Sequence, residues 1–146
     1  MDYFQIEGKK KLYGEIQVSG AKNAVLPLMA ASILNDRALT ITNVPKLSDS
    51  ITMGKLIEGM GGEVSFDCNS ITINPKNLND PYAPYDLVKT MRASFYVLGP
   101  LIAKFGEAKV SLPGGCAWGP RPVDFHIEGM KQLGIDISLE AGYVVA

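Results

Sequence analysis

Histidine occurs once in this chain and cysteine only twice, at positions 68 and 116. One imidazole and two distant thiols make no zinc constellation, which needs closely spaced ligands. Two cysteines this far apart are not a disulfide framework either. Excess charge of one sign is also lacking: 14 Lys and Arg stand against 15 Asp and Glu, for a net charge of −1. Without a concentrated basic face, nucleic acid is not an expected partner, and Lys9-Lys10-Lys11 reads as a solvated strand end or turn. No apolar run approaches the ~20 residues that span a bilayer. Met1-Asp2-Tyr3-Phe4 has neither the basic start nor the apolar stretch of a signal peptide. These absences lead to the expectation of a cytoplasmic protein with no membrane, metal or cofactor. Apolar residues, in contrast, make up 47% of the 146 residues and charged ones 20%, which provides a core for one domain or part of a larger one.

Along the chain, Glu15-Ile16-Gln17-Val18-Ser19 alternates as a half-exposed strand does. Residues 21–34 then read as a helix, with Pro27 near its first turn. A strand is expected at Leu39–Thr42. Asp49 or Ser50 is placed to cap a helix whose apolar face is Met53, Leu56, Ile57 and Met60, and Gly61-Gly62 ends it. Two short strands, 63–66 and 70–73, bracket Asp67-Cys68-Asn69, which leaves Cys68 exposed in a turn. Residues 74–86 form a proline-rich connection. The order then repeats: a helix over 90–106 kinked at Pro100, a strand at Lys109–Leu112, and a helix opened by Pro122. The apolar positions of that last helix are Val123, Ile127, Met130 and Leu133. Strands are expected at 135–139 and 143–145.

The repetition extends to individual residues. "MGGEVSF" at 60–66 lies over "LGIDISL" at 133–139, and "LTITNVP" at 39–45 over "KVSLPG" at 109–114; Lys22 falls on Arg92. A repeated supersecondary unit generally completes its core against its neighbours. The first helix of each unit, Ala24–Leu34 and Ala93–Ala103, is nearly free of charge, as a helix buried all round would be. The strands alternate, so one face of each sheet meets water. The expected architecture is therefore an α/β fold turned inside out, with buried helices and solvent-facing sheets. On this reading Val97, Leu98 and Leu101 lose their cover unless further units follow.

Three loops ahead of helices collect the candidate chemistry: 19–23, 89–92 and 113–122. A cation at a helix start opposes the helix dipole. Lys22 and Arg92 both sit there, so either an anion lies between them, held with the help of backbone N–H groups, or both point to solvent. In "SLPGGCAWGPRP", residues 111–122, Cys116 is flanked by glycines and followed by Arg121. It is either a small buried hydrophobe or an exposed thiol of lowered pKa. His126 follows on the next helix with no orienting acid, a poor basis for a Cys-His pair. Trp118 is either a cover for a ligand or an anchor of the loop.

The stretches "GEIQVSGAKNAVLPLMAASIL", "VKTMRASFYVLGPLIAKFG" and "VSLPGGCAWGPRPVDFHIEGMKQLG" resemble the enolpyruvyl transferase family along the whole chain, most closely its cell-wall branch. The resemblance implies an inside-out α/β barrel built from repeated strand-helix-strand-helix-strand-strand units. Two of three units would be present, at about 21–75 and 86–146, with residues 1–20 belonging to a second domain otherwise missing. It implies transfer of the enolpyruvyl group of phosphoenolpyruvate to the 3-hydroxyl of UDP-N-acetylglucosamine, with release of phosphate, a first step of peptidoglycan synthesis. Carried onto this sequence, Lys22, Asn23 and Arg121 match phosphoenolpyruvate-binding positions. Arg92, Arg121, Pro122, Val123, Asp124 and Phe125 match positions that bind the nucleotide sugar. Cys116 matches the loop thiol that donates a proton and takes covalent modification by fosfomycin. Trp118 departs from the aliphatic residue of the motif. Family members run further than Ala146, so an N-terminal portion, inactive alone, is expected, with the missing remainder of the same protein as its partner. The shikimate-pathway branch and a non-catalytic sugar-binding piece are the alternatives.

Overall fold

The computed structural model describes residues 3–113 and 123–146. Helix α1 (Lys22–Ala31) runs into a 3₁₀ turn at Ser32–Leu34, followed by β1 (Leu39–Thr42), α2 (Ser48–Gly59), β2 (Glu63–Phe66) and β3 (Ser70–Asn74). A short β4 (Tyr82–Ala83) and a single helical turn, α3 (Tyr85–Val88), lead to a 3₁₀ segment at Arg92–Val97. That segment continues as α4 (Leu98–Phe105), then β5 (Lys109–Ser111), α5 (Asp124–Gln132), β6 (Ser138–Glu140) and β7 (Tyr143–Val145).

The sheets carry the repeat. The first has the order β1-β3-β2, all antiparallel, and the second ends in β5-β7-β6, again antiparallel, with β4 added parallel to β5. In each unit the third strand returns between the first two. The two long connecting helices also stop alike. Gly61 N–H donates to the Glu58 carbonyl and Gly62 N–H to that of Ile57; Gly134 donates to Lys131 and Ile135 to Met130. Gly61 (φ 96°) and Gly134 (φ 89°) take the left-handed conformation that this paired motif requires.

Helical periodicity and burial coincide in α2. Met53, Leu56, Ile57 and Met60, all at 0% exposure, each contribute on the order of 1.5–3 kcal/mol by leaving water. Helices α1 and α2 pack on each other, α1 also meets the Arg92–Val97 segment, and α4 meets the Ser32–Leu34 turn. Ile41, Ile71 and Ile73 turn inward from the first sheet. Thr40 and Thr72 share the opposite, exposed face, with hydroxyls 2.9 Å apart. Lys104 crosses between units, its ammonium donating to the carbonyls of Ile33 (2.9 Å) and Asn35 (3.0 Å) at the end of the α1 turn.

Several expectations are corrected. Residues 15–19 form no strand: from Tyr3 to Ser19 the chain is exposed and without regular secondary structure, with no partner strand to complete a ladder among the described residues. Pro27 lies in the second turn of α1, not the first, and has no N–H to return to the Asn23 carbonyl. Neither Asp49 nor Ser50 caps α2, whose N-cap is Leu47. No kinked helix runs over 90–106. The chain is 3₁₀ to Val97 and α-helical from Leu98, because Pro100 cannot donate back to Tyr96 and takes a place in the first turn instead. Val97, Leu98 and Leu101 keep their cover, each at 0% exposure. The charge-free helices are not buried all round, since Leu28, Leu34 and Tyr96 reach solvent. Leu133 leaves the apolar face of α5 for solvent, and the strand expected from 135 begins at Ser138.

Candidate functional site

The approach to α1 is tight. Gly20 lies against the Asn43 loop so closely that a Cβ on it would fall 2.0 Å from the Asn43 carbonyl oxygen. Directly after it the carbonyl of Ala21 accepts the N–H groups of Ala24 and Val25, which starts α1 with Lys22 and Asn23 in its first turn. Helix α2 begins with Asp49 in its first turn, and α5 begins after Val123. These three starts and the Thr90–Ala93 segment surround one cleft of about 290 Å³. Its walls include Lys22, Asn23, Asp49, Thr90, Arg92, Phe95, Tyr96, Val123 and His126. Helix N-termini present positive potential and N–H donors, so their convergence suits an anion.

Lys22 and Arg92, equivalent by the internal repeat, thus line the same cleft, together with Asn23 and Val123. The Lys22 ammonium does not stand alone: Asp49 Oδ2 lies 3.0 Å from its Nζ. With side chains 49% and 29% exposed, the pair stabilises the fold by about 0–1 kcal/mol. Its interest is in where it holds the ammonium. The unfavourable placing of Lys22 at a helix start is therefore offset in part by a carboxylate, without calling on a bound ligand. Arg92 is half-buried. In the same cleft lining, the rings of Phe95 and His126 meet at 6.2 Å, tilted by 50°.

Other site candidates fall elsewhere. Asp124 sits in the first turn of α5 and Phe125 projects into solvent, neither of them on the cleft wall. Cys116, Trp118, Arg121 and Pro122 lie outside the described residues. Cys68 is a free thiol exposed in the β2–β3 turn. Sequence reasoning missed Asp49, Phe95 and Tyr96 as cleft residues, while Thr90 lies in the 89–92 loop it had singled out. For Asp49 the only available signal was an acid at a helix start, which reads first as a cap. Among the described residues no cluster of His, Cys, Asp or Glu suits a metal ion, and no helix is long and apolar enough to cross a membrane.

The sequence profile of the EPSP synthase (3-phosphoshikimate 1-carboxyvinyltransferase) family matches residues 6–146, and the chain belongs to that family. Within it, the chain is 56% identical over all its residues to a UDP-N-acetylglucosamine 1-carboxyvinyltransferase of Acinetobacter guillouiae. It is 53% identical to that of Psychrobacter arcticus and 51% to that of Yersinia pestis. It spans 35% of the length of each of these relatives. Among solved structures, the enolpyruvyl transferase NikO from Streptomyces tendae superposes with a TM-score of 0.76, at 23% identity, over 94% of this chain and 30% of that one. That likeness establishes the α/β fold.

Proposed function

We propose that this chain forms part of a longer enzyme that moves the enolpyruvyl group of phosphoenolpyruvate onto the 3-hydroxyl of UDP-N-acetylglucosamine, in the cytoplasm, for peptidoglycan synthesis. The observation that carries the proposal is the 51–56% identity over all 146 residues to relatives bearing that activity's name. The cleft supports it, because two cations and three helix starts face one small volume, as a phosphate ester requires. In this reading Lys22, Asn23, Arg92 and Arg121 bind the anionic groups, and Pro122 to Phe125 bind the nucleotide sugar. Residues 1–20 pack with a second domain, and 21–146 make two of three units of the first.

The reaction forms a bond from the sugar 3-oxygen to C2 of phosphoenolpyruvate. The hydroxyl loses its proton and C3 gains one from Cys116. The C2–O bond to phosphate then breaks, C3 loses a proton, and the double bond returns. The test is phosphate release by the full-length protein given phosphoenolpyruvate and either UDP-N-acetylglucosamine or shikimate 3-phosphate. Release with the nucleotide sugar alone is expected, abolished by fosfomycin in the wild type but not in Cys116→Asp. Release with shikimate 3-phosphate alone would assign the chain to the other branch, and turnover by the 146-residue chain alone would refute the need for the remainder.

A further inference from the structure

We propose that Asp49 is a positioning residue for Lys22, setting how the cleft receives its anionic substrate; the proposal rests on the function argued above. Asp49 stands in the first turn of α2 but makes no cap there, since the α2 N-terminus has no side-chain cap and its N-cap is Leu47. Its carboxylate instead reaches across to α1, where Oδ2 lies 3.0 Å from Lys22 Nζ, and both side chains line the cleft. The two residues meet because α1 and α2 pack on each other.

The lysine stem is flexible, and half of the Lys22 side chain is open to water. A free ammonium on such a stem would spread over many rotamers and spend much of its time in bulk solvent. The carboxylate removes that freedom. An ammonium has three N–H donors, so one can stay on Asp49 while the others turn to an incoming phosphate or carboxylate. The Asp49 charge repels that same anion, so the benefit of Asp49 exists only while Lys22 is present. Its effect on binding therefore reverses sign when Lys22 is removed, which a purely structural residue would not do.

The experiment is a double-mutant cycle in the full-length protein: wild type, Asp49→Ala, Lys22→Ala and the pair, with Asp49→Asn as the conservative variant. Each is assayed for kcat and for KM toward phosphoenolpyruvate at saturating UDP-N-acetylglucosamine. Asp49→Ala is expected to raise KM about tenfold with kcat little changed, the size of one lost charge-assisted contact acting on binding. Asp49→Asn, which keeps an acceptor oxygen for Lys22, should recover most of that loss. In the Lys22→Ala background, Asp49→Ala should leave KM unchanged or lower it. An equal rise in KM in both backgrounds would overturn the proposal, as would an unchanged KM in the single variant. If Asp49→Ala does not fold, as judged by its urea transition, a KM for Asp49→Asn rising as steeply as that for Lys22→Ala would also overturn it. Absence of any phosphoenolpyruvate-dependent turnover in the wild type would instead refute the functional reading.

Discussion

Adding one methyl group at two glycines separates steric constraint from helix propensity. At Gly20 the new Cβ would meet the Asn43 carbonyl oxygen at 2.0 Å and the carbonyl carbon at 3.2 Å. Normal contacts between non-bonded heavy atoms lie near 3.5 Å, so more than about 1 Å must open. The obstacle is backbone, and it is anchored: Asn43 is held at φ 56°, and the next N–H, of Val44, donates to the Asn69 carbonyl at 2.8 Å. At Gly54 the Cβ would meet the Phe66 ring at 2.7 Å, but Phe66 is 47% exposed and can swing outward. Alanine inside a helix also gains about 0.5–1 kcal/mol over glycine. Gly20→Ala should therefore cost about 1–3 kcal/mol or more, as overpacking does, while Gly54→Ala should stay within about 1 kcal/mol of wild type because the two effects offset. The assay is the urea midpoint of each chain at constant m-value. Because Lys22 and Asn23 follow Gly20 directly, Gly20→Ala should also weaken phosphoenolpyruvate binding in the full-length protein. A Gly20→Ala midpoint equal to or above that of Gly54→Ala would refute the reasoning.

Three further outcomes follow from contacts in the structure. Lys104→Met removes both hydrogen bonds to the Ile33 and Asn35 carbonyls from a side chain 21% exposed, and should lower stability by about 1.5–3 kcal/mol in urea denaturation. The β6–β7 turn puts Ala141 at φ 48° ahead of Gly142 at φ 85°, so Ala141→Asn should raise the stability by up to about 1 kcal/mol, read as a higher midpoint. Tyr82 and Tyr143 stack with hydroxyls 3.1 Å apart. Their hydrogen bond holds Tyr82 above the usual tyrosine range; the same bond, together with the Tyr85 N–H, brings Tyr143 below it. Raising pH should thus ionise Tyr143 before Tyr82, and Tyr143→Phe should delete the earlier phenolate step in an ultraviolet titration. The signs oppose. The Tyr143 contribution to stability is complete above its unfolded pKa and lost as pH falls through the folded value. That of Tyr82 is complete below its unfolded pKa and lost as pH rises through the folded value.

What was legible in the sequence was whatever a short window encodes. The face Met53-Leu56-Ile57-Met60 carries its own period, and Gly61 and Gly134 mark helix ends by backbone geometry alone. The equivalence of Lys22 and Arg92 was visible because the chain repeats itself. The strand expected at 15–19 shows the limit: alternation gives a sheet-forming pattern but names no partner, and pairing is not a local property. The switch at Val97 followed from Pro100, yet the residue at which 3₁₀ gives way to α depends on packing. Asp49 could not be assigned to Lys22 from sequence, since their meeting depends on how α1 lies against α2. The same holds for Phe95 and His126, whose rings meet from two separate elements of the second unit.

The cleft has one hard wall and one soft one. Helix α2 is seated by fully buried side chains, whereas α5 has no fully buried residue, and among the described residues it meets the core through Val123 ahead of it, the half-buried Ile127 and Met130, and the His126 ring against Phe95. An element held by so little apolar contact opens at a small fraction of the cost of global unfolding, and in the 146-residue chain its amides should exchange with solvent before those of α2. Val123 and His126 are carried on that element, so in the 146-residue chain the cleft is complete only while α5 is docked. The affinity measured for any ligand that touches all its walls is then its intrinsic affinity scaled down by the fraction of molecules in which α5 is docked. A change that seats α5 more firmly, at Leu133 for instance, would tighten binding without touching the ligand.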